Sequence, residues 1–247
     1  MQIYLAGVMP WGGSLYIPSK EKAVDINILE SFYYTDEYIV KMIPYLRNFM
    51  LDSGAFTFFS SGQKMNWEEY VERYADFINK NNVKLFFELD IDKLIGYDEV
   101  IRLRRKLEKL TNKQCIPVWH TFRGKENFKE MCAEYKYVSI GGIVSREITR
   151  TQYQYFPWFI KYAHQQGCKI HGLGFTNLQG LKKYHFDSVD STAWVTGNRF
   201  GGLYHFNGKD LIKIPRAENQ RMKDTKRLAI VNFNEWVKFM QYARTNL

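Results

Sequence analysis

Three aspartates, Asp52, Asp90 and Asp190, each lie at the end of a short apolar run, and two of them open small-residue stretches, Asp52-Ser-Gly-Ala-Phe56 and Asp190-Ser-Thr-Ala-Trp194. An apolar run that ends in a carboxylate reads as a buried strand meeting solvent at its last residue. Two carboxylates facing one mouth suit cleavage of a glycosidic bond: one attacks the anomeric carbon while the other manages protons on the departing or entering group. A third can read the donor edge of a purine-like base, with Phe56 stacked on it. Gly141-Gly142 interrupts an apolar strand, where glycine commonly marks close approach of a ligand or another backbone. Trp119-His120 and His171-Gly172-Leu173-Gly174 end further runs of the same kind. Taken singly, each residue has a plainer reading: Asp52 and Ser53 as caps, Asp90 and Asp92 as loop carboxylates, His120 and His171 as hydrogen-bonded packing residues. The conjunction of three strand-end aspartates favours a site.

Such residues converge only if the elements bring them to one place, as a (β/α)8 TIM barrel does at the C-terminal ends of its strands. Candidate strands are Ile3–Val8, Phe49–Asp52, Val83–Asp90, Cys115–His120, Tyr137–Val144, Cys168–Phe175 and Ser188–Val195. Between them, Trp67–Asn79, Tyr97–Leu110, Lys125–Tyr135 and Tyr153–Gln166 have helical spacing and polar faces. At 247 residues and 45% hydrophobic, the chain is long enough for one such domain spanning residues 1–247. Seven strands suggest an eighth hidden in Gly202–Ile214. That segment also reads as a hairpin near 202–214, turning at Asn207-Gly208 through a type I′ turn. A closing helix near 234–245 opens with Asn234 as cap.

The net charge of +9 favours a polyanionic partner, most simply nucleic acid. The basic run from Arg102 to Lys113 reads instead as the solvated face of a helix, whereas the later one, Lys209 to Arg227, follows the candidate site and suits phosphate contact. Cys115, Cys132 and Cys168 are far apart, with no zinc-site spacing, which fits reduced thiols and a cytoplasmic setting. No apolar run approaches a membrane span of about 18 residues, and the first residues lack the pattern of a signal peptide. No metal or cofactor is called for by these residues.

As an ordered set over residues 49 to 214, these motifs resemble the tRNA-guanine transglycosylases that install 7-deazaguanines. The family's Asp-Ser-Gly-Gly-Phe/Tyr motif is matched by Asp52-Ser-Gly-Ala-Phe56, its Gly-Gly-Leu by Gly141-Gly142-Ile143, and its Gly-Val-Gly by Gly172-Leu-Gly174. Val189-Asp190-Ser191 followed by Arg199-Phe-Gly-Gly202 resembles the region of its nucleophile. The resemblance implies Asp190 as nucleophile and Asp52 as general acid/base. It further implies a base pocket formed by Asp90, Phe56, Gly141 and Gly142, with His120, His171 and Gly172 beside them. Arg199, Lys209, Lys213 and Arg216 would meet phosphates.

The chain departs from the family in having no cysteine from Pro215 to Leu247, where a zinc subdomain would follow, and in placing Trp119-His120 and His171 where glutamine and methionine are usual. These departures are most similar to the phage and genomic-island branch, the DpdA-type enzymes. That likeness implies a guanine-exchanging pentosyltransferase acting on DNA, with a preQ0-like 7-deazaguanine as second substrate and either a homo-oligomer or a partner subunit. Removal of a base from duplex DNA would require flipping it out of the stack. Alternatives are a true tRNA-guanine transglycosylase, a nucleic-acid or nucleoside N-glycosidase, and a catalytically silent nucleic-acid-binding subunit.

Overall fold

The computed structural model describes residues 1–55, 57, 65–195, 202–215 and 224–247. Eight parallel strands form one sheet: β1 (Gln2–Ala6), β2 (Asn27–Ser31), β3 (Asn48–Asp52), β4 (Leu85–Phe86), β5 (Val118–Trp119), β6 (Tyr137–Ile140), β7 (Lys169–Gly172) and β8 (Ser188–Ser191). The order β4-β3-β2-β1-β8-β7-β6-β5 places β4 and β5 at the two edges, and a parallel bridge between Phe87 and Ile116 joins them. The sheet therefore curls into the expected barrel. The helices that follow successive strands from β2 are α1 (Glu37–Met42), α2 (Trp67–Lys80), α3 (Tyr97–Thr111), α4 (Gly124–Glu134), α5 (Phe156–Gln165) and α6 (Leu178–Lys183), and α7 (Thr225–Asn246) comes last. None of the described helices is long and apolar enough to cross a membrane.

Alternation along the strands separates two apolar layers. Tyr4, Ala6, Leu29, Met50, Phe87, Ile116 and Val118 fill the barrel interior. Their neighbours on the other face, such as Ile3, Leu5, Ile28, Leu51 and Val189, belong to the larger core shared with the helices. Helix α2 shows how the local sequence makes this work. Asn66 caps it through Glu69 N at 3.4 Å, Glu68 and Glu69 occupy its first turn, and Tyr70, Val71, Tyr74, Ala75 and Ile78 recur on its buried face. Each fully buried side chain of this size contributes roughly 1.5–3 kcal/mol.

Three expectations need correction. The eighth barrel strand is Asn27–Ser31, not a segment of 202–214. The later segment forms a separate antiparallel hairpin, β9 (Leu203–Phe206) and β10 (Leu211–Ile214). Its loop is four residues long rather than a two-residue type I′ turn, because Phe206 pairs with Leu211. The Asn207 carboxamide accepts from Lys209 N at 3.0 Å and Asp210 N at 2.7 Å, so only Gly208, at φ 97°, takes a positive angle. The closing helix starts at Thr225, capped by Asp224, and Asn234 lies inside it. Asn232 and Glu235 of α7 accept from Tyr204 N and Phe206 N at 2.8 and 2.6 Å, which fastens the hairpin to the helix.

The basic run on α3 is largely neutralised within the fold. Arg102 pairs with Glu68 and Glu99, Lys106 with Glu68 and Glu72, and Arg105 with Glu108 and Glu134. Arg104 is not solvated at all: it is buried against Glu88 at 2.8 Å.

Candidate active site

The strand ends surround a mouth of about 470 Å3, whose lining includes Glu30 of β2, Asp52 of β3, Asp90 and Asp92 beyond β4, and Asp190 of β8. Leu29, Leu173, Phe122 and Val144 supply apolar wall. Asp52 owes its position to α2. The Tyr70 hydroxyl donates to the Ser53 carbonyl, and Tyr74 donates to the carbonyls of Leu51 and Phe87 at 3.0 and 3.2 Å, so one helix fixes the ends of two strands. Asp52 Oδ1 accepts from Gly54 N at 2.7 Å. That turn holds Gly54 at φ +71°, and a Cβ there would lie 2.5 Å from Ser31 Oγ, which explains the glycine without a ligand.

Two of the carboxyls are held near neutrality. Burial pushes Asp52 up to about 6; the Gly54 hydrogen bond opposes this and the charges of Asp90 and Asp190 add to it. Burial likewise pushes Glu30 up to about 7, against hydrogen bonds from Met9 N at 2.9 Å and Ser31 N at 3.1 Å. Ser31 pairs in register with Asp52, and its hydroxyl is buried with no hydrogen-bond partner among the described residues.

At the end of β5, two strands round the barrel from Asp52, His120 is bracketed by carboxylates, with Nε2 2.7 Å from Asp90 Oδ1 and Nδ1 3.1 Å from Glu147 Oε2. Burial alone would lower its pKa, but the hydrogen bond and charge of Asp90 together with the charge of Glu147 outweigh it and raise the imidazole above its ordinary range. Glu147 also accepts from Thr121 N and Oγ1 at 2.7 and 2.6 Å and faces Lys93 at 3.6 Å. Burial would raise Glu147, yet Thr121 and His120 hold it below the usual carboxylate range. Phe122 stacks on the imidazole at 5.4 Å between centroids.

Beneath this wall runs a buried ion network. Arg123 binds both oxygens of Asp92, at 3.0 and 2.5 Å, and reaches Glu88 at 3.4 Å, while Glu88 pairs with Arg104 at 2.8 Å and accepts from Val118 N at 2.7 Å. Burial raises Glu88, and the two guanidiniums oppose it. Asp90, Asp92 and His120 have ligand-type atoms within 4.8 Å of one another. They do not fit a metal ion: Arg123 holds Asp92 through both oxygens, and both His120 nitrogens are bonded to carboxylates. A cation would have to displace an arginine and break the pairing of a charged imidazole.

Of the residues singled out in the sequence, Asp52, Asp90, His120, Gly142 and Asp190 line the mouth. Gly141 lies under it, where a Cβ would meet Val118 and His120 at 2.7 and 2.8 Å. Gly172 backs onto Phe175 and Phe186, and His171 is fully buried below Asp190. Lys209 and Lys213 are exposed on the hairpin, away from the mouth lining. Phe56, Arg199 and Arg216 lie outside the described residues. Sequence reasoning missed Glu30 and Glu147. Glu30 sits on the strand that was not foreseen. Glu147 lies in the loop after β6, which returns to the mouth through Ile148 N to Gly142 O at 3.0 Å.

No protein-family model matches the chain, and no curated protein matches its sequence. Solved structures do match. The chain aligns with "QR15, an Aldolase" at TM-score 0.51 and 13% identity, over 78% of this chain and 89% of that one. A putative fructose-1,6-biphosphate aldolase from Coccidioides immitis aligns at TM-score 0.55 and 12% identity, over 98% and 86%. An HpcH/HpaI aldolase from Desulfitobacterium hafniense DCB-2 aligns at 0.47 and 10%, over 81% and 90%. At these identities the likeness is one of fold.

Barrels titled aldolases, not transglycosylases, are what this chain is similar to, and the resemblance drawn from the motifs does not stand. With it fall the guanine-exchanging pentosyltransferase, its tRNA, glycosidase and silent-subunit alternatives, the 7-deazaguanine substrate, the phage-type DNA modification and the nucleic-acid partner. The physical reasons are local. The glycines of Asp52-Ser-Gly and Gly141-Gly142 answer to turn geometry and to the packing of Ser31, His120 and Glu147. Among the described residues the mouth is lined by five carboxyl groups against one lysine, Lys93, and His120, a poor match for a polyanion.

Proposed function

We propose that the chain is an aldol-type lyase, an enzyme that makes or breaks a carbon–carbon bond beside a carbonyl group in a small hydroxy-carbonyl compound bearing no phosphate. The observation that carries this reading is the pair of mouth carboxyls near neutrality, Asp52 at about 6 and Glu30 at about 7. A general acid or base is most effective when its pKa lies near the operating pH. Asp52 is the proton carrier, since Gly54 engages Oδ1 and no described residue hydrogen-bonds Oδ2.

In the cleavage direction Asp52 accepts the proton of the substrate's β-hydroxyl as the bond between the α- and β-carbons breaks. The β-carbon becomes a carbonyl, and the electron pair of the broken bond passes to the other carbonyl as an enolate. A proton delivered to the α-carbon completes the turnover. His120 lines the same mouth, and the carboxylates that raise its pKa favour the charged imidazole that stabilises the enolate oxygen. Asp90 and Asp190 orient substrate hydroxyls by accepting their hydrogen bonds. The printed titles of the two barrels aligned above 0.5 support the reaction class. One of them names a bisphosphate, but the carboxylate lining here has no paired cations among the described residues for two phosphates, so an uncharged substrate fits better.

The test is deuterium wash-in from D2O, read by NMR at the carbon next to the carbonyl of hydroxyacetone, dihydroxyacetone and pyruvate. Exchange is expected with the uncharged compounds ahead of pyruvate, and Asp52→Asn should abolish it. Wild-type protein that exchanges none of the three at any pH from 6 to 9 overturns the proposal.

A further inference from the structure

Barrel interiors are filled by apolar side chains, yet a polar chain climbs through this one. The Tyr137 hydroxyl, at the start of β6, lies 2.5 Å from Ser188 Oγ, at the start of β8. Ser188 Oγ lies 2.5 Å from Nδ1 of His171. Nε2 of His171 lies 3.2 Å from Oδ1 of Asp190, and Gly174 N donates to the same oxygen at 2.5 Å. His171 is fully buried, Ser188 nearly so, and Tyr4 and Phe87 present ring edges to the imidazole.

Only one direction of hydrogen bonding satisfies every atom. Burial pushes the Tyr137 phenol far above its ordinary range, so it keeps its proton, and Ser188 is its one hydrogen-bond partner among the described residues. Ser188 must then accept from Tyr137 and donate its own proton to His171 Nδ1. That leaves the imidazole proton on Nε2, facing the carboxylate. The reverse direction would aim a nitrogen lone pair at Asp190 Oδ1, which is repulsive at 3.2 Å unless a further proton is taken up.

We propose that Tyr137 and Ser188 act as positioning residues for the mouth: they fix His171 as its neutral Nε2–H tautomer. Through it they pin Asp190 Oδ1 inward, leaving Oδ2 as the atom presented to a bound molecule. Among the described residues Oδ2 has no hydrogen bond, and Asp190 lines the cavity. The arrangement resembles the orientation of metal-binding or catalytic imidazoles by a partner on the other nitrogen. Here the imidazole is not itself at the mouth; it transmits orientation from the barrel floor to a carboxylate above it.

The experiment is 15N NMR of the full chain labelled at its five histidines, with the His171 signals assigned by their loss in His171→Asn. It needs no substrate, so its outcome is separate from that of the aldol-type reading. Once raised pH has made the ring neutral, the wild type should show Nδ1 unprotonated and a slowly exchanging Nε2–H. In Ser188→Ala that proton should exchange about tenfold faster, the equivalent of losing one hydrogen bond, and the Nδ1–H form should appear. Tyr137→Phe should shift the same signals less, because Ser188 can still donate. Circular dichroism serves as the folding control. A wild-type ring whose neutral form is Nδ1–H overturns the proposal, as does a folded Ser188→Ala protein with an unchanged tautomer. If Ser188→Ala does not fold, the wild-type tautomer and Tyr137→Phe decide the question.

Discussion

Replacing Asp52 by asparagine probes the buried mouth without any substrate. The side chain is near-isosteric, its oxygen can still accept from Gly54 N, and its amide faces the cavity where the second carboxylate oxygen stood. In the folded protein the carboxyl titrates at about 6, against an ordinary 3.8. The folded state thus binds the proton more tightly than the unfolded state, and stability falls as pH rises through that interval. At about 1.4 kcal/mol per pKa unit, the ionised carboxylate costs the native state about 3 kcal/mol by pH 8. Asp52→Asn should recover most of that, raising the melting temperature at pH 8 by roughly 6–12 °C for a chain of this size. Near pH 4.5, where the native carboxyl is already protonated, the gain should shrink towards zero. Urea unfolding of both proteins at the two pH values measures this directly. A variant no more stable than wild type at pH 8, or one whose advantage is the same at pH 4.5, would refute the argument that burial and the charges of Asp90 and Asp190 strain this group.

Three further outcomes follow from the same geometry. His120→Gln removes a cation that two carboxylates hold; because its folded pKa is raised, the lost stability should be largest below pH 6.5 and should fade as pH climbs through the folded pKa, as paired denaturation curves at pH 6 and 9 would record. Arg123→Met leaves Asp92 and Glu88 short of a buried partner and should cost about 3–5 kcal/mol in chemical denaturation; a loss under 1 kcal/mol would mean that solvent reaches the network. Gly141→Ala drives a methyl against Val118 and His120, so roughly 1–3 kcal/mol of destabilisation should accompany loss of the His120–Asp90 hydrogen bond in the histidine NMR spectrum.

The parts of the fold that repeat were legible. Seven barrel strands and helices α2 to α5 follow from apolar runs and helical spacing, because these elements bury one face in the ordinary way, whereas the six-residue α6 is too short to show a period. Asn27–Ser31 escaped notice because its strand carries Asn27 and Glu30 at buried positions, each satisfied by partners far along the chain: Asn27 by Gln2 and the Ile3 carbonyl, Glu30 by Met9 N. A single sequence gives no sign of those partners, so the strand read as a polar segment, and with it went the carboxyl closest to neutrality. Asp52, Asp90 and Asp190 were found because strand ends advertise them. The function inferred from them failed for a related reason: a glycine after a strand-end carboxylate is a requirement of the turn, and many barrels share it.

The seam between β4 and β5 has a consequence for how the barrel could come apart. Its backbone ladder amounts to the Phe87–Ile116 bridge and its two hydrogen bonds, whereas β1 and β8 pair over four positions on the opposite side. Across that thin seam Glu88 reaches over to Val118 N, and Arg104 and Arg123 clamp it from either side. The hoop is therefore fastened at one point by charged side chains as much as by main chain. A nick between α3 and β5, at residues 112–114, would divide the barrel into two sets of four barrel strands, the second carrying the hairpin as well. Cutting the clasp should therefore weaken closure of the ring between β4 and β5 while the β1–β8 pairing on the other side stays intact.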